Sequence, residues 1–157
     1  MKTANVYSWT IALLGLFAGG CITILFILVP FWFRLPPDNL MQWFTDFGPI
    51  VGITMLPMEV APLLLSLVAY YKTRKSYPES RTMWIVVNLS NILILISFLV
   101  YFLPVNLSFV EHSIAPGAVA AELKRWQLIH IARTILSVLS IVLAIRIHTS
   151  QAKKTYV

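Results

Sequence analysis

Four long apolar runs, separated by short polar segments, organise the chain: roughly residues 7–33, 47–71, 82–104 and 124–147. Each approaches or exceeds the ~20 residues that an α-helix needs to cross the hydrocarbon core of a bilayer. The alternating segments of about ten residues that mark a membrane barrel do not occur. The pattern predicts an all-α chain, one domain over 1–157, folded as an integral membrane four-helix transmembrane bundle with the lipid bilayer as its main partner.

The first run carries no charge. Ala18-Gly19-Gly20-Cys21 loosely resembles a lipoprotein cleavage site, but the apolar run continues to Phe33, so it reads as a retained helix. Gly15 and Gly19 form a small-xxx-small step that lets helix backbones approach closely. Packing within the chain is the plainer use of that face, and a homo-oligomer through Gly15 and Gly19 is the other. Trp9 and Trp32, at opposite ends, suit the two membrane interfaces. Pro36-Pro37 predicts a loop. After it, 40–44 reads as a short amphipathic turn lying against the headgroups. In the third run Asn88 and Asn91 share a face and can bond to another helix, and Pro104-Val105-Asn106 is expected to end that helix. The chain from Ala118 to Arg125 is expected to start the last helix ahead of the bilayer. No period of 20–50 residues recurs.

Composition agrees with this picture and narrows it. Hydrophobic residues make up 59% of the chain and charged ones 11%, against about 25% charged in soluble domains. The formal charge of +6 raises the question of nucleic acid. Lys and Arg sit mainly in short loops and the tail rather than on one basic face, so no nucleic-acid partner is expected. Residues 72–81 hold four basic side chains against one acid. With Lys2 and the tail on the same side, the positive-inside rule puts both termini in the cytoplasm. Short loops suit a bacterial inner membrane. The single Cys21 excludes an internal disulfide and a Cys-x-x-Cys pair.

Ionisable groups inside spans are expensive and mark a site or a deliberate pairing. Glu59 sits near the middle of the second run, between Pro57 and Pro62, each of which removes a backbone donor. In the fourth run Trp126, His130 and Arg133 fall at i, i+4 and i+7, one face of a helix, continued by Ser137 and Ser140. At 1.5 Å per residue, Arg133 lies roughly 10 Å below Trp126 and Glu59 roughly 18 Å below Phe47. Arginine is long and can snorkel several ångström, so the two could meet. His130 then sits one turn outward with Trp126 above it, and Asn106 reaches the same vestibule. Two readings stay open: a pocket for a hydrophobic small molecule, or a buried Glu59–Arg133 pair and a satisfied histidine that fix helix register.

His130 suits proton transfer. An imidazole is the usual base near neutral pH, and a guanidinium beside it stabilises an oxyanion. His112, His130 and His148 fall in a loop, in a span and near the opposite interface, so no metal site and no bis-histidine haem is expected. No phosphate-binding glycine loop or dinucleotide motif occurs, and no cofactor is expected.

Pro104-Val105-Asn106, followed after a loop by Trp126, His130 and Arg133, resembles the close of the anthrone-oxygenase-like family of small four-helix membrane proteins. The Gly-rich first helix ending in Pro30, with Leu35-Pro36-Pro37 after it, is similar too. Some fungal members of that family oxidise anthrones to anthraquinones with oxygen and no evident metal or flavin. The resemblance implies a catalytic His130 and Arg133, with Trp126 and Asn106 beside the substrate; Glu59 matches no motif of that family and joins them as an orienting, substrate-binding group on its mid-span position alone. A non-catalytic membrane protein (a binder, a transporter subunit or an assembly partner) is the alternative.

Overall fold

A computed structural model describes residues 3–155, with side chains from Asn5 to Gln151, and these residues are helical almost throughout. Lys2, counted above for topology, lies outside them, as do the side chains of Lys153 and Lys154. Four helices are long and apolar enough to cross a membrane: Asn5–Trp32, Pro37–Thr73, Pro78–Val110 and Pro116–Gln151. Each packs against the next, and the fourth closes against the first, so the first and third stand diagonally opposite, as do the second and fourth. Phe26, Ile53, Val100 and Leu128 are 67–76% exposed on the outside. Apolar exposure on this scale belongs against lipid. The chain is an integral membrane four-helix bundle.

Three expectations are corrected. Pro37 does not lie in a loop: it opens the second helix, where a missing N–H and a fixed φ cost nothing, and Asp38 in the first turn favours the helix dipole. That helix starts ten residues before the predicted 47. Residues 40–44 are therefore its first turns, not an interfacial segment, and Leu40, Met41 and Phe44 are buried in the core. The helix runs on through Pro49, Pro57 and Pro62.

Pro104 does not end the third helix, which continues to Val110. A proline ring clashes with the carbonyl four residues back. Here a widened π-turn, Phe98–Phe102, precedes it, and the Leu103 N–H bonds to the Phe98 carbonyl five residues back. The first helix solves the same problem the same way, with a π-turn at Ile24–Leu28 before Pro30. The third helix stops instead at a left-handed residue, His112 (φ 52°). The Ser113 N–H bonds to the Ser108 carbonyl and the His112 N–H to Phe109, which is a Schellman cap.

Trp32 is the third correction. It is 2% exposed and packs against Trp43, Phe44 and Trp126, so it belongs to the core, while Trp9 stays 60% exposed.

The two π-turns reveal an internal repeat much longer than 50 residues. Ile24 and Phe98 open the turns, Pro30 and Pro104 follow them, and Glu59 and Arg133 are the buried charges; each pair is separated by 74 positions. Buried Leu63 and Ser66 correspond in the same way to buried Ser137 and Ser140. The chain is two helical hairpins in tandem, and the ring order places equivalent helices diagonally, as a two-fold axis along the bundle would.

Away from the axis, packing is by small residues and local hydroxyl bonds. A Cβ on Gly15 would lie 3.1 Å from Ile141 of the fourth helix, whereas one on Gly19 would meet nothing within 4 Å. Ser66 bonds across to Asn88 at 2.8 Å, as expected of Asn88, while Asn91 bonds to Val87 of its own helix. Gly15 thus serves packing within the chain. Gly15→Leu should cost about 1–3 kcal/mol by overpacking, measured as detergent-solubilised thermal stability, with the oligomeric state unchanged. Gly19→Leu should be neutral. A Gly19 variant that alters oligomeric state would return that face to a homo-oligomer.

Candidate functional site

The centre of the bundle is held by Arg133. Its Nη2 donates to Glu59 Oε2, joining the fourth helix to the second across the diagonal. Both residues are buried, at 7% and 2% exposure. Diagonal helices of such a bundle stand too far apart for small side chains to meet, and two long ones close the gap. The guanidinium also lies over three rings, Phe17 at 5.2 Å, Phe98 at 5.8 Å and Phe102 at 5.0 Å. A desolvated cation over such rings gains about 2 kcal/mol or more. All four helices therefore contribute to one charge.

One turn toward the end that carries the 33–36 and 111–115 loops stands His130, 2% exposed. Its Nε2 lies 3.0 Å from the backbone oxygen of Cys21. A carbonyl only accepts, so Nε2 carries the proton, and in the neutral ring Nδ1 is left as a lone-pair acceptor. Nδ1 is buried without a protein hydrogen-bond partner, and so are Arg133 Nε and Glu59 Oε1. Trp126 stacks on the imidazole at 4.8 Å and 23°. Its indole N–H donates to Asn106 Oδ1 at 2.9 Å, which ties the fourth helix to the third. Trp32 and Phe102 meet Trp126 edge-on at 5.2 and 5.0 Å.

These groups surround a cavity of about 60 Å³. Asn106, Trp126, His130 and Arg133 all line it. Glu59 does not: it sits behind Arg133 and orients it. The π-turns explain why the first and third helices supply the walls. Two α-helical turns span about seven residues, and one extra residue brings positions eight apart onto one face. Ile24 and Trp32 share the cavity side in this way, and so do Phe98, Phe102 and Asn106. Sequence reading missed the rings around Arg133 and the Trp32–Trp43 wall, because aromatic residues in an apolar run carry no directional signal. It also missed Tyr101, whose hydroxyl bonds to Glu122 at 2.7 Å, with Arg125 pairing to the same carboxylate at 2.9 Å. Prolines recurring 74 positions apart were the one visible sign of the π-turns.

The remaining histidines lie elsewhere, His112 beside Thr45 and His148 against Tyr7. Cys21 is buried among Phe17 and Ile94. Among the described residues no three His, Cys, Asp or Glu side chains form a metal-binding group.

No protein-family model, curated protein or solved structure matches the chain.

Arg133 and Glu59 each leave the other as an uncompensated buried charge if removed. Arg133→Met or Glu59→Leu alone should cost about 3–5 kcal/mol, and the double variant should recover part of that. A double-mutant cycle on detergent-solubilised protein measures it. Additive losses would mean the pair is not coupled.

Proposed function

We propose that the protein is a membrane-embedded, oxygenase-like enzyme that needs no cofactor and acts on a hydrophobic phenolic or anthrone-type compound. The observation that carries this reading is that three residues lining one cavity, His130, Arg133 and Trp32, each leave a buried polar atom without a protein partner, the Trp32 Nε1 being a further donor. His130 Nδ1 is an acceptor and Arg133 Nε a donor. A phenolic or enolic hydroxyl answers both, donating its proton to the imidazole and accepting from the guanidinium. An unmatched buried polar atom costs about 1–3 kcal/mol, so such a ligand repairs two defects at once.

The chemistry follows from those contacts. His130 takes the proton of an acidic O–H or C–H, and Arg133 holds the oxyanion as charge develops. Glu59 keeps the guanidinium in place, and Trp126, fixed by Asn106, confines the imidazole and offers a stacking face. The electron-rich anion then reduces dioxygen. For an anthrone the balance is one substrate and one O₂ giving the anthraquinone and one water, with His130 returning its proton to the departing oxygen. The resemblance of Asn106, Trp126, His130 and Arg133 to the anthrone-oxygenase-like pattern supports the same assignment. The basic 72–81 segment supports cytoplasmic termini in a bacterial inner membrane.

A non-catalytic membrane protein is the second reading, and one observation favours it: the cavity is far below the roughly 300–1,000 Å³ typical of ligand pockets. Oxygen consumption decides between the two. Purified protein with a hydroxyanthrone or an alkylhydroquinone should take up oxygen above the spontaneous rate. His130→Gln, which keeps a donor near Cys21, should lower the catalysed rate by about 10²–10⁴-fold. Equal rates in both proteins would sink the enzyme reading.

A further inference from the structure

Which residues of the lining are exposed tells where the cavity opens. On the first and fourth helices Ile24, Trp32, Trp126, His130 and Arg133 are all buried, at 9% exposure or less. On the second and third, Phe44 and Phe102 are buried too, but Gly48, Val51, Gly52, Met55, Phe98 and Asn106 are partly exposed, and no lining residue of the other two helices is. The mouth therefore lies between the second and third helices. Gly52 stands seven residues from Glu59, roughly 10 Å along the helix, so the mouth is within the span and faces lipid, not water. Its neighbours Ile50, Ile53 and Leu99 are 62%, 76% and 53% exposed, an apolar rim continuous with the acyl region. Gly52 has no atom within 4 Å of the place a Cβ would occupy, so this stretch of helix leaves its side of the mouth open.

Size limits what passes. At about 60 Å³ the cavity holds a few waters, and an engineered cavity that takes benzene measures about 150 Å³. One ring fits if a single side chain at the mouth gives way, and Met55, unbranched and partly exposed, is suited to that. Three fused rings would displace the buried walls, Trp32 and Trp126, which brace each other edge to face.

We propose that the ligand is a single-ring hydroquinone carrying an apolar tail, taken sideways from the bilayer with its ring between Trp126 and Phe98 and its tail lying outward past Gly52; its two electrons and two protons pass to one O₂, giving the quinone and hydrogen peroxide. This rests on the hydroxyl-binding role of His130 and Arg133 proposed above and narrows it: the substrate is a lipid-dissolved single ring rather than a tricyclic anthrone.

The test is binding without oxygen, where turnover is impossible. Protein in phosphatidylcholine nanodiscs is titrated anaerobically with 2-decylhydroquinone, 1,8-dihydroxyanthrone or decane, reading tryptophan fluorescence. Saturable quenching is expected for decylhydroquinone, at least tenfold weaker in Gly52→Leu and in Val51→Phe, which narrow the mouth from open and partly exposed positions. Decane and the anthrone should not saturate. An anthrone that binds as tightly as the tailed ring, mouth variants without effect, or no saturable binding of decylhydroquinone would each overturn the proposal. Anaerobic binding with no oxygen uptake in air would sink the enzyme reading and leave the ligand class standing. Oxygen uptake with anthrone but no binding of the tailed ring would do the reverse.

Discussion

The structure depends on one buried contact, the bond from Arg133 to Glu59 across the diagonal of the bundle. Lipid offers helices no hydrophobic reason to associate, since acyl chains are as apolar as leucine. A charge at the centre changes that, because each member of the pair is intolerable there without the other. The contact fixes the second helix against the fourth, and the three rings around Arg133 draw in the first and third. Its Arg133 side also lines the cavity. The interaction that ties the second helix to the fourth therefore also positions the guanidinium at the cavity.

The frame around this contact is nearly symmetric, and the chemistry is not. Two hairpins, each with a π-turn, a proline and a buried charge at matching positions, would by themselves make two equivalent half-sites. The repeat breaks where function is argued. Trp32 on one side corresponds to Asn106 on the other, and Glu59 to Arg133. Leu56, the counterpart of His130, is 38% exposed to lipid, while His130 is buried. One half supplies the imidazole and the guanidinium. The other supplies the counter-charge, part of the aromatic wall and the glycines that line the cavity. Widened turns recur at functional sites in helices generally. Here they let two prolines sit inside long helices and turn cavity-facing residues eight apart onto one side.

Several of the other buried hydroxyls are settled locally. Thr10, Thr73, Thr134 and Ser137 return their hydroxyls to carbonyls of their own helices. Such bonds cost little and hold nothing across the bundle. His130 and Arg133 are different: each spends one nitrogen on a cross-helix bond and keeps another unmatched. That combination, rigid on one side and unsatisfied on the other, is what a preorganised binding group requires.

The sequence by itself determined the membrane class, the number of helices and the one face carrying Trp126, His130 and Arg133. Run length, charge and a period of 3.6 are properties of single segments, so no partner is needed to read them. It also put Glu59 within reach of a long Arg133 side chain, because rise per residue is fixed. Only the tertiary structure decided that the second and fourth helices are diagonal, that Trp32 is core, and that Glu59 stands behind the cavity and not in it. Prolines misled for a related reason. Pro37 reads as a breaker until its N1 position is known, and Pro104 as a stop until the π-turn before it is seen. The free nitrogen of His130 was decided last, by a carbonyl 109 positions away in the chain, because the tautomer of a histidine depends on what folding brings to its other side.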